Sequence, residues 1–417
     1  MADAAAPPRP LIPEVPPRRI VGVDVARALA LVGMMATHIV PGRVGNDVTV
    51  VQQLAGGRAS ALFAVLAGVS VALVTGRATP LRGRERYAAS VRLVVRALLV
   101  FGLGLLLGAL PTWIAVILSY YGVLFLLALP FLGFGARALA VLAAGWALVA
   151  PVVSQLLRPH LLAHTTGSPS PSDLAHPLDL LSQLLFVGYY PAFTWVAYLL
   201  AGMALGRLDL RRRGTDLALL VGGCALAVTS TVASRILLSG SGARTALATT
   251  YPDAANPDPT LLSDPGALDA TLTEGLHGTT PTGSWWWLAT VAPHSGTPLD
   301  LAQTIGSALA VLGLCLLLTR IGRNLWAAVF GAGAMTLTLY SLHVAVMAQG
   351  YWPHWERPED YPKQVVLVLA VGAFFALVPL KGPLETVVAR LAQVAGSAVV
   401  GQPSTRVPDP SQQASHR

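Results

Sequence analysis

Charge is what this 417-residue chain most lacks: Asp, Glu, Lys and Arg make up only 12% of it, about half the share of an ordinary soluble domain. With 54% hydrophobic residues and a mean hydropathy of +0.62, the composition excludes a water-soluble globule. Cysteine is nearly absent as well. Cys224 and Cys315 each lie inside an apolar run, so neither a disulfide nor a thiolate metal site is expected. A Gly-rich phosphate loop, a nucleophile elbow and a paired-carboxylate pattern are all missing, so none of those chemistries has a local signature here. The net charge of +8 is not a nucleic-acid signal, because its arginines cluster between apolar runs as they do in cytoplasmic loops.

What is present is a series of apolar runs long enough to cross a bilayer. They predict an all-α, polytopic membrane bundle of about ten transmembrane helices, at 20–40, 58–76, 90–110, 113–132, 137–157, 188–206, 214–238, 299–319, 325–347 and 364–380. Residues 1–18 are Pro-rich and lack the apolar core of a signal peptide, which predicts a disordered cytoplasmic tail. Residues 19–390 then form the membrane domain and 391–417 a second, largely disordered cytoplasmic tail. With the N-terminus inside, every inner connection carries Arg or Lys, including the cluster Arg82, Arg84 and Arg86 and the run Arg211, Arg212 and Arg213. Much longer outer loops carry only scattered cations, which sets both termini in the cytoplasm. The expected location is the plasma membrane, with the lipid bilayer as partner and a homo-oligomer open.

The first span, Arg19 to Val40, keeps three ionisable side chains in hydrocarbon: Asp24, Arg27 and His38. Burying a charge there costs at least ~2.5–3.5 kcal/mol, so such groups usually face a bundle interior and mark a reaction site or pathway. Arg27 and His38 are eleven positions apart, about three turns, and Asp24 lies one turn before Arg27, so all three share one stripe. The plainer alternative is a structural ion pair of Asp24 with Arg27 and a wetted helix-end histidine. In the ninth run His343 falls about as far from the cytoplasmic end as His38 does in the first, which places both histidines at one depth, roughly 27 Å up. His294 approaches that level from the loop side. No short-range ligand spacing links the three, so no metal site is expected.

The stretch 239–297 reads as a long polar extracytoplasmic loop closing on Trp285, Trp286 and Trp287. Its tryptophans suit an interfacial anchor, or a lid that stacks on a sugar, with Trp286 and His294 as candidate substrate contacts. Arg96, in the third run, is expected to snorkel to the cytoplasmic side.

These residues also form a pattern. Arg19-Ile20-x-Gly22-x-Asp24-x-x-Arg27-x-x-Ala30-x-x-Gly33-Met34, followed by Gly57-Arg58-x-x-x-Leu62-Phe63-x-x-Leu66-x-Gly68-x-Ser70, resembles the opening of heparan-alpha-glucosaminide N-acetyltransferase-like membrane proteins. These are grouped with the family-3 membrane acyltransferases, whose first catalytic span has an Arg and then a His eleven positions later, as Arg27 and His38 stand here. Gly382-Pro383-Leu384-Glu385 is similar to the closing motif of one bacterial branch. The resemblance implies acyl transfer from cytoplasmic acyl-CoA, such as acetyl-CoA, to a hydroxyl or amine of a glycan or lipid on the far side. The animal enzymes have Asn where His38 stands and a His on the following outer loop, where this chain offers Asp47, a further catalytic candidate. His38 then serves as general base and His343 as a second acid/base or oxyanion donor, with Arg27, Asp24 and Arg58 on the cofactor side. A transporter or flippase and a non-catalytic envelope scaffold are the rival classes. No second copy of the Asp24-Arg27-His38 stripe is seen in the other half of the chain, as an inverted-repeat carrier would show.

Overall fold

Inside a bilayer the backbone must satisfy its own N–H and C=O groups, which turns long apolar runs into helices. The computed structural model describes residues 19–45, 47–162, 164–350, 355, 357–378 and 381–400; the expected tails at 1–18 and 401–417 lie outside them. Helix α1 (Val21–Ile39) leads into a two-residue antiparallel hairpin, β1 (Arg43–Val44) and β2 (Asp47–Val48). Next come α2 (Val50–Ala55), α3 (Arg58–Val74), α4 (Gly83–Gly108), α5 (Leu118–Leu127) and α6 (Ala136–Leu157). Helix α7 (Pro177–Ser182) runs through a π-turn at Gln183–Val187 into α8 (Ala192–Gly206) and α9 (Thr215–Leu237). The connection to α13 (Pro298–Leu318) holds three short helices, α10 (Ser241–Ala248), α11 (Pro259–Ser263) and α12 (Pro265–Glu274). The chain closes with α14 (Arg323–Val329), α15 (Thr336–Val346), α16 (Tyr361–Leu377) and α17 (Pro383–Val400).

Among the described residues seven helices are long and apolar enough to cross a membrane, and the α7–α8 pair, bent by 55°, makes an eighth if it crosses as one. The molecule is a multi-pass helical membrane protein, though not ten uninterrupted spans. The apolar run 113–132 yields only the ten residues of α5. Its leading segment stays irregular because other groups satisfy its backbone: Ser168 Oγ takes the Val116 N–H at 2.8 Å and donates to the Ile114 carbonyl at 2.9 Å, and Tyr340 Oη takes the Ile117 N–H at 3.2 Å. The run 325–347 breaks between α14 and α15 at Gly331–Ala334. There the backbone of Gly333 lies so close to the Asp24 carbonyl of α1 that a Cβ would sit 1.7 Å from that oxygen, an approach only glycine permits. The new N-terminus of α15 is capped by Glu385, whose carboxylate accepts from the N–H groups of Leu337 (2.7 Å) and Thr338 (3.1 Å) and from the Thr338 hydroxyl (2.5 Å).

Helix α8 is buried along almost its whole length and forms the centre of the bundle with α1 and α3. It meets α3 at Gly68 and Gly202, where a Cβ on Gly202 would lie 1.9 Å from the Val65 carbonyl; small residues let two spans pack backbone to backbone. At the other extreme α4, α6 and α9 turn apolar side chains such as Leu106, Val141 and Ile236 outward. Arg207, which reads in sequence as a loop cation, is buried. Its guanidinium donates to the carbonyls of Ala72, Thr75, Arg77 and Leu132 at 2.7–3.2 Å and closes the C-terminus of α3.

The 239–297 connection differs from the expected unstructured loop. Leu247, Leu261, Leu268, Leu276 and Trp287 form a separate small core, and Trp287 donates from Nε1 to Thr250 Oγ1 at 2.9 Å. Burial falls on Trp287 (0% exposed), whereas Trp286 keeps 43% of its surface exposed. At the far end, α17 continues through residues 391–400 expected to be tail, and it packs against α4.

Candidate active site

His38, in the last turn of α1, and His343, on α15, meet, as an equal depth allows. His38 Nδ1 lies 3.0 Å from His343 Nε2, with the two rings nearly parallel at 9°. The other nitrogen of His343, Nδ1, lies 2.8 Å from Gln364 Oε1 near the start of α16. Gln364 Nε2 donates to the Trp355 carbonyl at 2.7 Å and toward Met347 Sδ at 3.3 Å. A carbonyl can only accept, so the amide has a single orientation and its Oε1 accepts from His343 Nδ1–H. In a neutral His343 the lone pair is then on Nε2, which accepts from His38 Nδ1–H. The remaining nitrogen, His38 Nε2, is left as a bare lone pair. A chain of three side chains therefore fixes the tautomer a general base needs. The end of α1 is held in place by Trp113, which donates from Nε1 to the His38 carbonyl at 3.0 Å.

Toward the other end of α1, Asp24 accepts from Arg27 Nη1 at 3.0 Å and from Arg19 Nε at 2.7 Å. Arg27 Nη2 donates to Ser70 Oγ on α3 at 2.6 Å. The ion pair expected from spacing is formed, and it aims Arg27 into a cavity of about 470 Å³. Arg92, Arg96 and Lys381 also line this cavity. Arg96 does not simply snorkel outward: its guanidinium sits 5.5 Å from the Phe125 ring centroid. Glu385 reaches the wall too, but its oxygens are committed to the α15 cap. Tyr121 also lines the cavity, and its Oη is enclosed without a hydrogen-bond partner. Tyr340 is on the wall, three residues before His343 on α15. The cationic cavity thus reaches to within one helical turn of the imidazole pair.

Other candidates separate from these two groups. Arg58 starts α3, twelve residues and about 18 Å from Ser70; it donates to the Gln53 carbonyl at 2.6 Å, interacts with Asp300, and is absent from the cavity lining. Arg58, grouped with Arg27 on the cofactor side, therefore lies at the far end of α3 from the serine that Arg27 contacts. Asp47 is exposed on the hairpin and is not among the groups hydrogen-bonded to either histidine. Trp286 stays on the outside of the small loop core. His294 lies in the segment before α13, at φ +58°, with the rings of Tyr189 and Tyr190 edge-on at 5.1 and 5.7 Å. Its Nδ1 is enclosed without a partner, and burial, with His277 beside it, pushes the imidazole down to about 3. It is close enough to His38 for the two to interact electrostatically.

Sequence reasoning missed Gln364, Arg92, Lys381 and Tyr121. Gln364 did carry a signal, as an amide at the edge of an apolar run; the others become site residues only when α4, α5 and the segment before α17 close around the cavity. A family model described as heparan-alpha-glucosaminide N-acetyltransferase, catalytic, matches residues 19–235, just over half the chain. That stretch includes Arg27, His38 and Arg96 and stops before His343 and Gln364. No curated protein matches the chain.

Proposed function

Since the chain belongs to the heparan-alpha-glucosaminide N-acetyltransferase catalytic family, which makes it a membrane acetyltransferase in kind, we propose that it moves an acetyl group from cytoplasmic acetyl-CoA to an amine or hydroxyl of an extracytoplasmic glycan or lipid. The observation that carries this reading is the approach of the arginine-lined cavity to the His38–His343–Gln364 chain, which gives a donor site and a base on one path through the bundle.

In this reading the Arg27 end faces the cytoplasm. Arg27, Arg92, Arg96 and Lys381 hold the phosphates of the donor, for which guanidinium groups are well suited. Asp24 and Ser70 fix the direction of the Arg27 fork. The acceptor enters from the His38 end. His38 Nε2 takes the proton from its N–H or O–H as the new bond to the acetyl carbon forms and the C–S bond of the thioester breaks. The charge that appears on His38 is met by the His343 Nε2 lone pair, which Gln364 keeps aimed at it. His38 then returns the proton to the leaving thiolate, which closes the balance of atoms and charge.

Titration of purified protein with acetyl-CoA, beside a turnover assay that follows free thiol release, tests both halves. Arg27→Ala should weaken acetyl-CoA binding by about 1.5–3 kcal/mol, the range for a charge-assisted hydrogen bond. His38→Ala should leave that affinity near wild type and lower turnover about 10²–10⁴-fold. A folded Arg27→Ala protein with wild-type affinity, or a His38→Ala protein with full turnover, would overturn the assignment.

A further inference from the structure

A second basic cavity opens on another side of α1, and the acyl-transfer reading makes no use of it. Gly22 lines this one and Arg27 the first; five residues apart, they point about 140° from each other around the helix. The second cavity measures about 240 Å³ and is lined by Arg19, Arg211, Arg320 and Arg323, with no carboxylate among its lining residues. That is several times the ~30 Å³ share of one water.

Although Arg211 and Arg320 remain exposed, the guanidinium groups converge on backbone carbonyls. The Arg19 carbonyl accepts from Arg323 Nη2 at 2.7 Å and Arg211 Nη2 at 3.5 Å, and the Arg212 carbonyl accepts from Arg320 Nη2 at 3.2 Å. Asp216 pairs with Arg320, and Arg19 must share Asp24 with Arg27. Arg19 Nη2 is enclosed with no hydrogen-bond partner. Ile20, the N-cap of α1, and its first residues Val21 and Gly22 are also on the wall, and no side chain caps that helix end, so its positive pole adds to the field. Like charges repel, so four arginines lining one recess make it a place where an anion is favoured. We propose that this recess binds a phosphate group, carried either by an anionic phospholipid headgroup at the membrane surface or by a soluble phosphoester.

Thermal unfolding of the full chain in detergent tests this, with phosphatidylglycerol, phosphatidylcholine or inorganic pyrophosphate added. The variants are Arg211→Glu and Arg211→Gln, at an exposed residue outside the acyl-transfer site. Phosphatidylglycerol in hundredfold excess over its Kd should raise the wild-type Tm by about 3 °C relative to phosphatidylcholine. The gain should vanish in Arg211→Glu and shrink in Arg211→Gln, which carries the comparison should the charge reversal misfold. If pyrophosphate reproduces the gain in wild type alone, the phosphate source is soluble; if only phosphatidylglycerol does, it is a lipid headgroup. Equal gains in wild type and both variants, or no gain from either anion, would overturn the site, whatever the outcome for acetyl-CoA binding at Arg27.

Discussion

Replacing Gln364 by Leu removes one hydrogen-bond acceptor from a buried chain while keeping most of the volume. His343 Nδ1–H, 2.8 Å from Gln364 Oε1, then points at a methyl group. A stranded buried donor costs about 1–3 kcal/mol. The imidazole escapes that cost by moving its proton to Nε2, but Nε2 faces His38 Nδ1 at 3.0 Å, so His38 must give up its own Nδ1 proton and carry it on Nε2. That is the atom the mechanism needs bare. If the whole cost goes into the tautomer equilibrium, turnover falls about 5- to 150-fold, at 1.36 kcal/mol per tenfold. The loss should appear in kcat with the KM for acetyl-CoA unchanged, because Gln364 is not on the wall of the donor cavity. A merely structural glutamine would lower both parameters together with the amount of folded protein. Steady-state kinetics on the folded variant, with thiol release as readout, decide it. A Gln364→Leu enzyme with wild-type kcat would refute the tautomer argument.

Glu385→Ala strips three hydrogen bonds from the start of α15 and should cost about 0.5–2 kcal/mol as a lost cap, read as a lower Tm, with turnover falling as Tyr340 and His343 lose their anchor. Because the His294 imidazole is held down at about 3 against about 6.5 unfolded, the unfolded chain binds the extra proton between those values. Stability should therefore fall as pH drops from about 6.5 toward 3, by at most about 1.4 kcal/mol per pH unit from this group. His294→Asn should flatten the dependence of Tm on pH in that window, and an unchanged slope would remove His294 as its source. Trp287→Ala should destabilise the 239–297 segment by about 3–5 kcal/mol and expose it to limited proteolysis, whereas Trp286→Ala should stay within about ±0.5 kcal/mol; equal protease sensitivity in both would contradict the separate core.

The sequence alone determined the helical membrane class, because hydropathy over twenty residues is a local property that lipid reads directly. It also determined the Asp24–Arg27 pair and the shared depth of His38 and His343, since rise per residue turns a count along a helix into a height. The two rings meet even though the ninth run breaks at Gly331–Ala334. The tertiary structure decided what counting cannot reach. The break at Gly331–Ala334 follows from close approach to α1 and α16, and Arg207 is buried because it closes a helix end. Arg58 is expected on the cofactor side and Arg96 to snorkel outward, yet Arg58 lies near Asp300 and Arg96 lines the arginine-rich cavity. Which cations share a cavity depends on α1, α4 and the segment before α17 closing together, and which nitrogen of His38 is bare depends on α1 meeting α15, with His38 and His343 305 positions apart; no local pattern records contacts at that range.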